Sequence, residues 1–124
     1  SQHAFFQLLH QGTKTIPIDF IGFKESLHGN QHQHKLLMAN FYGQSVSLLE
    51  GTYQQNISNI YKSFKGNKPS NSLLINQLTP KNLGSLIALY EHKLFVQGVV
   101  WNIFSYDQWG VELGKKIAKK ILNY

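Results

Sequence analysis

Two short apolar runs, TIPIDFIGF from Thr15 to Phe23 and SLLINQL from Ser72 to Leu78, constrain the fold more than any other feature of this chain. Each is long enough for a buried strand and too short for an independent helix. Pro17 makes the start of the first run irregular, because proline has no N–H to give to a strand ladder. Between the runs lie a polar loop, Ser26 to Gln33, and a helix expected from about His34 to Glu50 and stopped by Gly51. A weaker helical pattern runs through Ile57, Ile60, Tyr61 and Phe64. Two strands joined by helices are expected to run parallel. Parallel strands normally lie in sheets covered on both faces, and a pair of them cannot close an independent core. The chain therefore reads as an α/β piece of a larger domain.

The flanks carry helices. Phe6, Leu9 and His10 recur at helical spacing in the segment from His3 to His10, and Gly12 is a plausible stop. The run GNKPSNS, Gly66 to Ser72, is a loop. Thr79 followed by Pro80 marks a helix start, since proline fits the first helical position. That helix is expected to reach about Val96, to be interrupted at Gly98 and to resume as a short piece ending near Ile103. Phe41, Tyr42, Tyr90, Phe95 and Trp101 fall on apolar helix faces and are expected in the core.

The net charge of +6 raises a nucleic-acid reading, which the distribution of charge argues against. Four of the twelve cations lie between Lys115 and Lys120, and all twelve are lysine, so the side chain best suited to bidentate base and phosphate recognition is missing. A positive field that attracts a small anionic substrate remains compatible. No run approaches the ~18 apolar residues needed to span a membrane. The polar start at Ser1, without a basic and apolar leader, and the absence of cysteine fit a reducing cytoplasm.

Chemistry concentrates in YDQWGVELGK, from Tyr106 to Lys115. Asp107 is a good N-cap candidate, its carboxylate able to accept from a free backbone N–H of the first turn. At about 100° per residue, Gln108, Glu112 and Lys115 share one stripe of the next helix. Val111, Leu113, Ile117, Ala118, Ile121 and Leu122 occupy the other side, so Lys115 stands at the border of the two faces. A solvated amphipathic helix would show the same pattern.

The wording of this run resembles the signature of the glucose-6-phosphate isomerase family: an aromatic residue, Asp, Gln, any residue, Gly, Val, Glu, two residues and Lys. The resemblance extends through LTPKNLGSLIALYEHKLFVQGVVWNIFSYDQ, Leu78 to Gln108, through GNKPSNS, and back to QHAFFQLLHQGTKTIPIDF, Gln2 to Phe20. It implies an αβα sandwich of the sugar-isomerase (SIS) type. Residues 1–124 would form an incomplete second domain, its later half, together with part of the C-terminal helical region.

It also implies roles. His3 sits in the context Ser1, Gln2, His3, Ala4, Phe5, which is similar to the family's GTNGQ-histidine helix start with serine in place of glycine, and there a histidine assists opening of the sugar ring. Lys115 is similar to the active-site lysine, whose ammonium donates to the ring oxygen and stabilises charge developing on oxygen. Gln108 matches a glutamine that lines the substrate site. Glu112 is a tempting base, yet the family's proton-moving carboxylate lies upstream of this chain, which leaves Glu112 as an orienting partner for a lysine or a buried structural contact. Phe104 departs from the family's usual asparagine, near Gln108 but outside the polar set.

The implied reaction interconverts glucose 6-phosphate and fructose 6-phosphate by ring opening, proton transfer through an enediol and ring closure. It needs no cofactor and no metal. The HxxxHxH cluster of His28, His32 and His34, which Glu25 could join as a zinc set, lies in a polar, glycine-containing loop and reads as solvated. GNKPSNS lacks the strand, glycine loop and helix order of a phosphate loop and reads as a connector. The resemblance implies a homodimer with composite active sites, the histidine reaching the neighbouring subunit. The rival readings are a noncatalytic sugar-phosphate-binding module of the same fold and a small basic nucleic-acid binder.

Overall fold

The computed structural model describes residues 2–52 and 59–123. Its elements are α1 (Gln2–Gln11), β1 (Ile18–Phe23), α2 (Gln31–Glu50), a 3₁₀ turn (Ile60–Lys62), β2 (Ser70–Ile75), α3 (Pro80–Trp101) and α4 (Trp109–Leu122). The chain divides into two compact units, Ser1–Asn82 and Leu83–Tyr124.

In the first unit the two apolar runs form strands that pair in parallel, from Ile18 opposite Ser70 to Phe23 opposite Ile75. β2 begins at Ser70, earlier than its apolar run, and ends at Ile75 rather than Leu78. The early start has a polar cause: Asn71 lies opposite Asp19, and its Nδ2 donates to the Asp19 Oδ1 at 2.9 Å. α2 packs on both strands. Phe20 of β1 is where three elements meet, its ring centroid 6.4 Å from Phe6 of α1 and 6.2 Å from Phe41 of α2, the latter edge-on. Such edge-to-face pairs add roughly 0.5–1.5 kcal/mol to area burial.

α2 starts at Gln31, three residues before the expected His34, because Asn30 caps it: the Asn30 Oδ1 accepts from the Gln33 N–H at 3.1 Å. Its end is as expected, at Gly51 with φ 61°, whose N–H donates to the Ser47 carbonyl at 2.9 Å. The return toward β2 is lashed to that end. The Thr52 N–H donates to the Phe64 carbonyl at 3.0 Å and the Phe64 N–H to the Thr52 Oγ1 at 2.8 Å. Of the weaker helix, Ile57 lies outside the described residues. Ile60 and Tyr61 fall in a single 3₁₀ turn capped by Asn59, whose Oδ1 accepts from the Tyr61 N–H, and Phe64 lies beyond it.

α3 starts as the sequence indicates, with Pro80 at the first position and the Thr79 Oγ1 accepting from the Asn82 N–H at 3.2 Å. It does not break at Gly98 but runs on to Trp101. The expected aromatic core is only partly realised: Phe41 and Tyr90 are half-buried, whereas Tyr42, Phe95 and Trp101 are exposed. Among the described residues Leu9 and Leu48 are the buried apolar side chains, and α4 buries none. This matches a parallel pair that cannot close a core by itself. No described helix is long and apolar enough to cross a membrane.

Candidate active site

In the second unit the site is built on the reversal between α3 and α4. Asn102 adopts the left-handed conformation, φ 56°, which asparagine tolerates better than most residues. The Asn102 N–H donates to the Val99 carbonyl at 3.3 Å and the Ile103 N–H to the Gly98 carbonyl at 2.8 Å. This pair of bonds is the Schellman arrangement, with asparagine at the position glycine usually takes. The chain then doubles back on α3: a Cβ built on Gly98 would overlap the Ser105 Oγ, and the Tyr106 ring stacks on Phe95 at 5.9 Å. The Asp107 N–H donates to the Phe104 carbonyl at 3.2 Å, closing a turn, and the Phe104 ring meets Trp109, the first residue of α4, at 5.8 Å. An apolar-walled depression of about 460 Å³ lies between Phe95 of α3 and this reversal, with Asn102, Ser105 and Asp107 as its polar lining.

The cap of α4 is Gln108, not Asp107. The Glu112 N–H donates to the Gln108 carbonyl at 2.9 Å, which makes Gln108 the residue that accepts the first intrahelical bond. Its side chain makes no capping hydrogen bond. Glu112 falls in the first turn, where a carboxylate suits the positive end of the helix dipole, and it is exposed rather than a buried contact. Lys115 stands exposed within α4, two turns on from the Gln108 cap, and the four lysines from Lys115 to Lys120 give the helix a concentrated positive charge.

His3 belongs to the first unit, exposed in the opening turn of α1. The far end of α1 is fixed more firmly. The Gln11 Nε2 donates to the Tyr61 carbonyl at 2.9 Å and to the Ser63 carbonyl at 3.2 Å, and the His10 ring lies 5.1 Å from Phe64. Among the described residues the His10 Nδ1 is buried without a hydrogen-bond partner. Burial, and secondarily the Lys68 ammonium, hold this imidazole below its ordinary value of 6.5.

Among the described residues no three His, Cys, Asp or Glu side chains gather as a metal-ligand set. The His34 Nε2 instead lies 3.0 Å from the Lys24 carbonyl oxygen. In GNKPSNS the Asn67 and Lys68 N–H groups donate to the Leu49 and Leu48 carbonyls at 2.7 and 3.0 Å, so they close the end of α2 rather than face a phosphate. Two features of the fold leave little trace in the sequence. One is the seat of Ser105 on Gly98, marked only by a glycine inside a helical pattern. The other is a depression of about 370 Å³ lined by Phe23, Glu25, His28, Asn30, His34 and Leu78, beyond the carboxyl ends of β1 and β2, the edge at which open α/β sheets bind ligands.

Two parallel strands joined through a helix, with further helices on either side, define an α/β protein. A family profile described as phosphoglucose isomerase matches residues 1–124, and the chain belongs to that family. It is 56% identical to a glucose-6-phosphate isomerase of Christiangramia forsetii over 98% of its own length and 25% of that protein. It is 54% identical to one of Deinococcus radiodurans over 97% of its length and 24% of that protein. The crystal structure of a glucose-6-phosphate isomerase from Chlamydia trachomatis is similar at TM-score 0.84 and 44% identity, covering 98% of this chain and 24% of that one. The chain thus spans about a quarter of the length of the curated relatives it matches.

Proposed function

We propose that this chain supplies the ring-opening part of the active site of a glucose-6-phosphate isomerase that interconverts glucose 6-phosphate and fructose 6-phosphate. The observation that carries the reading is the family match along residues 1–124, which includes the α4 stripe that bears the uncapped amide of Gln108 and the ammonium of Lys115. His3 takes and returns the proton of the ring-opening step. Lys115 donates to the ring oxygen and then stabilises the negative charge that develops on oxygen. Gln108 hydrogen-bonds the substrate. A glutamate outside this chain moves the proton between C1 and C2 through the enediol.

In this reading residues 1–124 are the later half of the second SIS-type αβα domain with part of the C-terminal helical region. The protein works as a cytoplasmic homodimer in which His3 serves the neighbouring subunit's site, and needs no cofactor. The test is kinetic, on the full-length protein. Lys115→Ala and His3→Ala are each expected to lower kcat by about 10²–10⁴-fold, the range for a positioned acid–base or charge-stabilising group. Mixed dimers of the two variants are expected to recover activity at the one site that holds both residues. Unchanged turnover in Lys115→Ala would overturn the assignment of Lys115. Sugar-phosphate binding by the unsubstituted protein without exchange of the C2 proton with solvent would make the protein a noncatalytic module.

A further inference from the structure

We infer that Gly98 and Ser105 form an interlock that positions the active-site stripe of α4, so that both are positioning residues for the reaction proposed above. Gly98 is the buried residue of α3, and the three residues that complete the helix after it are all exposed. Its α-carbon has no substituent, and the Ser105 hydroxyl occupies that space. A Cβ added there would overlap the Ser105 Oγ and press on the Ile103 carbonyl oxygen at 3.1 Å and the Ser105 Cβ at 3.2 Å. Helix propensity pulls the other way, since alanine inside a helix is favoured over glycine by about 1 kcal/mol. Glycine at this position therefore serves the close approach, not the helix.

The close approach sets where α4 begins. Ser105 is three residues before Gln108, and between them Tyr106 is stacked on Phe95 of α3. Trp109, at the start of α4, is held by Phe104. The reversal has no slack: Asn102 and Ile103 are bonded back to Val99 and Gly98, and Asp107 to Phe104. A methyl group on Gly98 displaces the Ser105 hydroxyl and presses on the Ser105 Cβ and the Ile103 carbonyl oxygen, which must give by a few tenths of an ångström, and the rigid body next in line to take up that shift is α4. Seven residues of helix rise separate Gln108 from Lys115, about 10 Å, so a tilt of about 10° at the helix start moves the lysine by about 2 Å. A misplacement of about 1 Å is enough to lower a rate about 10²-fold.

The inference rests on Lys115 and Gln108 acting at the site, and the experiment separates the two ideas. In the full-length protein Gly98→Ala is expected to lower kcat by about 10- to 100-fold while KM changes by less than about threefold. Adding Ser105→Gly, which empties the contested space, is expected to recover at least about tenfold of that loss, with kcat referred to the folded fraction of each variant so that a change in stability does not enter. Gly98→Ala with kcat within about twofold of wild type, or a double variant no better than the single one, would overturn the interlock. If Gly98→Ala alone does not fold, the double variant decides: folded protein with kcat within about tenfold of wild type supports the interlock, and unfolded or inactive protein overturns it. Lys115→Ala run alongside tells the ideas apart. Full activity there removes the reading of the site, whereas loss of activity there with an unaffected Gly98→Ala removes only the interlock.

Discussion

The Phe41 ring of α2 occupies the space where Gly22 of β1 would carry a side chain. A Cβ built on Gly22 would stand 2.9 Å from the Phe41 Cε2 and 3.0 Å from its Cδ2. Gly22 lies two positions beyond Phe20, on the same face of the strand, and Phe20 meets the same ring edge-on. One aromatic side chain thus sets how closely the long helix approaches the sheet, because it rests on a glycine at one point and on a phenylalanine at the next.

Gly22→Ala is therefore expected to destabilise the full-length protein by about 1–3 kcal/mol, as overpacking does. Backbone entropy alone would make alanine the better residue inside a strand by about 0.5–1 kcal/mol, so the sign of the effect is diagnostic. Denaturant unfolding checks it. Combining the change with Phe41→Leu, which removes the ring edge, is expected to restore more than half of the loss, and a gain of stability in the single variant would refute the packing argument.

His10 gives the protein an acid sensitivity of predictable sign. Its imidazole is held below 6.5 by burial and by Lys68, so near pH 6 the unfolded chain binds a proton that the folded chain resists. Stability from this group is fully present above the unfolded value and is lost as pH falls through the depressed folded one. Since the Nδ1 has no partner among the described residues, His10→Leu removes no hydrogen bond described at that atom. The urea midpoint of the unsubstituted protein is expected to fall more between about pH 7.5 and about pH 5.5 than that of His10→Leu. Equal slopes would show that His10 does not titrate against folding.

The reversal after α3 rests on one residue with positive φ. Asn102 at φ 56° satisfies a Schellman end that glycine would satisfy at least as well. Asn102→Gly is expected to change stability by no more than about 0.5 kcal/mol, whereas Asn102→Ala is expected to cost about 1–2 kcal/mol, the penalty of a left-handed residue with a plain Cβ. Thermal unfolding of the two variants checks the order. Alanine tolerated as well as glycine would mean that the turn relaxes out of the left-handed region.

Local chemistry explains which elements are legible in the sequence. The two strands stand out because an isoleucine- and leucine-rich run bounded by polar segments has few other uses, and Thr79–Pro80 marks a helix start by capping and fixed φ. Gly98 misleads: a glycine reads as a break, and only the fold shows Ser105 lying on it. Asp107 misleads in the same way, since its capping propensity is outweighed by the turn its own N–H closes onto Phe104, which moves the cap to Gln108. The aromatic faces point to a core that these residues do not close, and Tyr42, Phe95 and Trp101 remain at 50%, 45% and 64% exposure. That Glu112 and Lys115 lie in one helix after Gln108 is legible, because the amphipathic pattern from Val111 to Leu122 is continuous.

The second unit presents its apolar side chains to water. Val111, Ile117 and Ile121 of α4 are 55%, 49% and 68% exposed, and Val99, Val100 and Trp101 at the end of α3 are likewise open. Extensive apolar surface of this kind drives association in water unless something covers it. Residues 1–124 by themselves are therefore expected to bind an apolar-surface dye and to self-associate with rising concentration in sedimentation velocity. On the function proposed above they are also expected to give no turnover in a coupled assay of fructose 6-phosphate formation, because the glutamate that would move the C2 proton lies outside them. Isomerisation by residues 1–124 alone would show that a carboxylate within them, with Glu112 the first to test, moves that proton.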